Sequence, residues 1–128
     1  LTSLPVDLFK YNTAVQNFVS CFNRCSGLTS LPVDLFKYNT AVQYFGSCFG
    51  FCSGLTSLPV DLFKYNTAVK DFSSCFNSCS QITNTPNDTL ELWQRQGRSG
   101  YPIKIVGNSC FTSCSKLPNY SIIPSEWK

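Results

Sequence analysis

The sequence predicts an α/β repeat solenoid, built from coils of short strands and short helical turns and closed by a C-terminal cap. Three observations lead there. Fifteen residues, LTSLPVDLFKYNTAV, recur unchanged three times at a spacing of 27, starting at Leu1, Leu28 and Leu55. Each copy runs into a looser half ending Cys-Phe-x-x-Cys-Ser. After Ser80 the period breaks, and Cys110 follows Cys75 by 35 residues. A fixed period in this range marks coils that bury their apolar side only by stacking on their neighbours. Residues 1–81 are therefore three 27-residue repeats, and residues 82–128 an atypical repeat with an insertion that acts as a capping module.

Within one unit, Leu28-Thr29-Ser30-Leu31 is too short for helical periodicity and reads as a strand ended by Pro32, which has no N–H for a ladder bond. Pro32 then leads into Val33–Tyr38, a candidate helical turn with Asp34 and Lys37 at i,i+3. Asn39-Thr40 reads as a corner. Apolar residues at 42, 45, 48, 49 and 52 suit one face of a short helix, with an extended Val42–Phe45 and a single turn through Ser47–Cys52 as the competing reading. Stacking sets Phe22, Phe49, Phe76 and Phe111 in one column and Asn12, Asn39 and Asn66 in another, where side-chain amides can satisfy a neighbouring coil's backbone. In the insertion, Leu90–Arg95 reads as a short helix and Ile103–Val106 as a strand.

Composition excludes several classes. With 43% hydrophobic and 13% charged residues the chain is too apolar for disorder. The net charge of +3 is spread without any Lys/Arg run, so no nucleic-acid partner is expected. No apolar stretch approaches the roughly 18–20 residues that span a bilayer, and no charged n-region precedes an apolar run. The chain opens mid-pattern and is expected to be the C-terminal part of a longer protein, monomeric and without a cofactor.

The string Asn12-x-x-Val15-x-x-Phe18-x-x-Cys21-Phe22-x-x-Cys25-Ser26-Gly27-Leu28-Thr29-Ser30-Leu31 resembles the BspA-like leucine-rich repeats of bacterial surface proteins. The match covers residues 1–81 and returns at 108–117. The resemblance implies a right-handed leucine-rich-repeat-like coil, an extracellular or cell-surface location, and a role in adhesion. The chain departs from the usual consensus at Phe36, where Asn or Cys would be expected, and carries Cys21, Cys48, Cys75 and Cys110 where relatives usually have an apolar residue.

Eight cysteines, paired as 21/25, 48/52, 75/79 and 110/114, are the loudest chemical feature. Two stacked pairs could supply four thiolates to Zn²⁺, and an even count invites disulfides. Cysteines four apart on one turn rarely meet the disulfide dihedral, so Cys21, Cys25, Cys48, Cys52, Cys75, Cys79, Cys110 and Cys114 are read as structural buried thiols. Catalysis has little support: histidine is absent, which removes the commonest general base. Among the positions that vary between otherwise identical coils are Asn17/Tyr44/Asp71, Val19/Gly46/Ser73 and Arg24/Phe51/Ser78. Residue types so different cannot share a core slot. Asn17, Arg24, Tyr44, Phe51, Asp71 and Ser78 are the candidate ligand-binding face, with Tyr44 and Phe51 as aromatic anchors. The expected function is non-catalytic recognition of a protein or glycan; the alternative is a structural spacer or display stalk, including a tail-fibre-like part of a viral particle.

Overall fold

A computed structural model describes residues 2–128. It corrects the α/β expectation. Among the described residues the regular elements are three single 3-10 turns, Leu92–Gln94, Tyr120–Ile122 and Ser125–Trp127, and no sheet forms. Isolated parallel bridges join Asn17 to Tyr44, Tyr44 to Asp71 and Asp71 to Val106. The strand expected at Leu28–Leu31, the helix at 41–52 and the strand at 103–106 are absent. The coils stack, but each is built from β-turns.

The hydrogen-bond pattern shows why. In the first coil the amides of Phe18, Ser20, Phe22 and Arg24 donate to the carbonyls of Tyr44, Gly46, Cys48 and Gly50 in the second, at 2.7–2.9 Å. The intervening amides of Cys21, Asn23 and Cys25 turn back to carbonyls three residues earlier, each at 3.2 Å. Alternate amides thus serve the neighbouring coil and their own turn. The second coil repeats this toward the third, and Phe72, Ser74, Phe76 and Ser78 repeat it toward Val106, Asn108, Cys110 and Thr112. In this segment of each coil two residues take the left-handed conformation that makes such turns: Ser20, Ser47, Ser74 and Ser109 at φ 54–60°, and Arg24, Phe51, Ser78 and Ser113 at φ 59–64°; Asp34, at φ 58°, is a further one in the second coil. A positive φ at the third residue is what a type II turn requires. A run of turns brings side chains inward every three or four residues, as a helix does. Val42, Phe45, Cys48, Phe49 and Cys52 are accordingly all buried without a helix.

Three columns of rings fill the interior. Phe22, Phe49, Phe76 and Phe111 stack at 5.4, 5.5 and 5.7 Å between centroids. Phe9, Phe36 and Phe63 follow at 6.0 and 5.9 Å, so Phe36 belongs to the core. Phe18, Phe45 and Phe72 form the third, ending on Trp127 at 6.4 Å. Leu28, Leu55, Ile82 and Leu117 are buried at equivalent places; Leu1, the same repeat position in the first coil, lies outside the described residues.

An amide ladder runs beside the rings. Asn39 Nδ2 donates to the carbonyls of Phe9 (3.1 Å) and Asn12 (2.9 Å). Asn66 Nδ2 does the same to Phe36 (3.1 Å) and Asn39 (2.9 Å). The next rung is Arg95, whose guanidinium donates to the carbonyls of Phe63 (2.9 Å) and Asn66 (3.2 Å). It is 1% exposed, 3.8 Å from Asp88 Oδ1, and 5.1 Å from the centre of the Tyr101 ring.

Arg95 thus sets the register of residues 82–128. Leu92, three residues earlier and fully buried, holds the place of Phe63, which stands three before Asn66. Val106 is bridged where Tyr44 and Asp71 are. The additional residues fall at two points, between Ile82 and Leu92 and, mostly, between Arg95 and Val106, where a loop is closed by Gly97 N–H donating to the Pro102 carbonyl at 3.0 Å. Beyond it, the amides of Ser109 and Phe111 donate to the carbonyls of Glu126 and Trp127, both at 2.8 Å. Trp127 lies so close to the Gly107 backbone that a Cβ there would run into the indole. Trp93 meets Phe111 and Trp127 edge-on at 6.1 and 6.4 Å.

Candidate functional site

The structure sorts the six candidate residues into two rows, one at each end of the same turn-rich segment of every coil. Asn17, Tyr44 and Asp71 form the first, aligned by the parallel bridges and continued by Val106. Asn17 and Asp71 serve their own backbone. Oδ1 of each accepts the N–H two residues on, from Val19 at 2.8 Å and Ser73 at 2.7 Å. This Asx-type turn starts the segment. Tyr44 cannot make that bond, and Gly46 follows it. Its half-buried ring instead carries the Lys70 ammonium 5.3 Å from its centroid.

The second row is Arg24, Phe51 and Ser78, the residues with positive φ. The Arg24 guanidinium lies 4.6 Å from the centre of the Phe51 ring, which is 43% exposed. Ser78 Oγ donates to Asn77 Oδ1 at 2.8 Å. A left-handed phenylalanine is costly, on the order of 1–2 kcal/mol. The Phe51 amide bonded to the Asn77 carbonyl at 2.8 Å helps to hold it there.

The thiols form two rows in the interior. All eight are free. Cys48, Cys52, Cys75, Cys79, Cys110 and Cys114 are fully buried, whereas Cys21 is exposed and Cys25 half-buried, which corrects the expectation for those two. In the later coils a neighbouring coil covers the sulfur: Cys52, Cys79 and Cys114 Sγ donate to the carbonyls of Phe22, Phe49 and Phe76 at 3.0–3.1 Å. Burial pushes Cys52 up to about 11 and Cys114 up to about 12. Cys48, Cys75, Cys79 and Cys110 are also raised, first by burial. Such thiols are poor nucleophiles and poor metal ligands, and among the described residues no three His, Cys, Asp or Glu side chains are placed to hold a metal.

Around Tyr44 the surface is concave. A depression of about 310 Å³ is lined by Tyr44, Lys70, Asp71, Lys104 and Val106. It shares Lys104 and Val106 with a second of about 350 Å³, bordered by Gln96, Asn108 and Glu126. Lys70 was legible in the repeat, because Gln16 and Gln43 stand at its position in the other coils. Lys104 and Gln96 carry no such signal, since the insertion has no counterpart for comparison, whereas Asn108 stands at the place of Val19, Gly46 and Ser73.

No protein-family model and no curated protein matches the sequence. Among solved structures, the leucine-rich repeat domain of APL1B is similar at 15% identity over 66% of this chain, with a TM-score of 0.28. The chain spans about a third of that domain, 34%. A likeness this weak says nothing about a site. No helix among the described residues is long and apolar enough to cross a membrane.

Proposed function

We propose that the chain is a non-catalytic recognition module of a cell-surface protein, related to the BspA-like leucine-rich repeats, which binds a protein or glycan. The observation that carries this reading is Tyr44. It breaks the Asx turn kept by Asn17 and Asp71, and it places an aromatic ring and a cation in an open depression. An accessible aromatic with a few convergent polar groups is the usual make-up of a recognition site. Phe51 under Arg24 is the second anchor. No catalytic role is proposed.

The test is a binding screen of the immobilised protein against arrayed glycans and extracellular-matrix proteins, with Tyr44→Ala and Phe51→Ala alongside. A ligand whose affinity falls at least tenfold in Tyr44→Ala supports the module. Ligands bound equally well by both variants, or none at all, refute it. The invariance of LTSLPVDLFKYNTAV through three coils then favours the spacer reading.

A further inference from the structure

The groove formed by the two depressions is chemically uneven from end to end. One end holds the Tyr44 ring, Lys70 and Lys104. Neither ammonium is paired with an acid: among the described residues the ion pair present is Arg95 with Asp88. Asp71, at the same end, already has Oδ1 occupied by the Ser73 amide. At the other end lie two primary amides. Gln96 accepts the Ile105 N–H through Oε1 at 2.8 Å, which leaves its own N–H donors unengaged by the described residues. Asn108 is exposed, and Glu126 sits beside it.

We infer that this groove binds an acidic oligosaccharide. Its carboxylate or sulfate lies between Lys70 and Lys104, one pyranose ring rests on Tyr44, and hydroxyls of the adjoining sugar bond to Gln96 and Asn108. Each part answers an observation. Two unpaired ammonium groups over a low-polarity floor attract an anion, and a neutral sugar would leave them without a partner. The flat apolar face of a sugar matches an aromatic ring, and amides with free donors match hydroxyls. An extended acidic peptide fits less well. It offers no flat sugar face to Tyr44 and no hydroxyls to Gln96 and Asn108, and the backbone it would pair with is engaged, the Val106 amide donating to the Lys70 carbonyl at 2.9 Å. The inference rests on the recognition reading and names the ligand class for its Tyr44 site.

The experiment is an amide-resolved NMR titration of the whole chain. The probes are trigalacturonate for a carboxylated sugar, a heparin-derived tetrasaccharide for a sulfated one, neutral maltotriose, and hexaglutamate. The expected result is saturable shifts at residues 44, 70 and 104–108 with at least one acidic sugar, several-fold weaker at 500 than at 150 mM NaCl. Affinity should fall at least tenfold in Lys104→Gln, an exposed change whose spectrum also reports intact folding. Equal or tighter binding of hexaglutamate at those residues, or no response to either acidic sugar, overturns the inference. If maltotriose binds there and Lys104→Gln changes nothing, the acidic class is wrong while recognition at Tyr44 stands. If Tyr44→Ala leaves all binding unchanged, both readings fall.

Discussion

Residues 2–81 and residues 82–128 form successive coils of one stack with very different sequences. The first region repeats fifteen residues without change; the second keeps little beyond Cys-Phe-x-x-Cys-Ser. Yet Leu92 takes the place of a phenylalanine, Trp127 that of another, and Arg95 that of an asparagine. A coil is therefore specified by roles: apolar volume in three columns, two donors aimed at the carbonyls below, and amides that alternate between the next coil and their own turn. Residue identity matters only as far as it fills a role. Arg95 is the clearest case, because its fork supplies two donors from a longer side chain.

The largest expected effect compares the two regions in one ring column. Phe49→Ala and Phe111→Ala should each lower unfolding free energy by about 3–5 kcal/mol, since both rings are fully buried. Urea melts read this directly. A cost under about 1 kcal/mol for Phe111→Ala alone would separate the terminal region from the stack.

Next comes the amide ladder. Asn66→Ala abandons the carbonyls of Phe36 and Asn39, and Arg95→Ala those of Phe63 and Asn66. The Phe36, Asn39 and Phe63 carbonyls still accept the backbone N–H groups of Asn39, Val42 and Asn66, so each lost bond costs about 0.5–1.5 kcal/mol. The two variants should be destabilised to a similar degree in the same melts, with Arg95→Ala somewhat worse because Asp88 also loses its partner. Indifference to Arg95→Ala would break the equivalence of the two rungs.

The smallest effect is in the thiols. Thiol-reactive dye at neutral pH should label Cys21 quickly and the six buried cysteines only on unfolding. Their pH dependence has a definite sign. A thiol of about 9 in the unfolded chain that rises to about 11 at Cys52, or about 12 at Cys114, is held neutral by the fold. The unfolded chain releases those protons first, so stability is full below about pH 9 and falls steadily from there to pH 12. A urea midpoint unchanged between pH 8 and pH 11 would contradict this.

Much of the packing is legible in the sequence. The Phe22/Phe49/Phe76/Phe111 column and the asparagine row follow from period and register alone. The secondary structure is not, because buried positions at 42, 45, 48, 49 and 52 fit a turn ladder as well as a helix face. What decides between them is the positive φ of Ser47 and Phe51, and neither residue type announces it. The site is legible in part. Internal variation points to Tyr44 and Phe51, but it also selects Asn17 and Asp71, whose side chains serve their own backbone. Lys104 could not be found this way, since its place beside Tyr44 depends on where the loop after Arg95 returns.

That residues 82–128 continue the turn ladder of the repeats is tested most directly by amide hydrogen exchange of the native protein. The amides of Phe45, Ser47, Phe49 and Phe51 donate to the third coil, and those of Phe72, Ser74, Phe76 and Ser78 donate to residues 106–112. Matching protection is expected in the two sets, within about tenfold, because both lie in the interior of one stack. Strong protection of the first set with fast exchange of the second would mean that the ladder stops at the third coil.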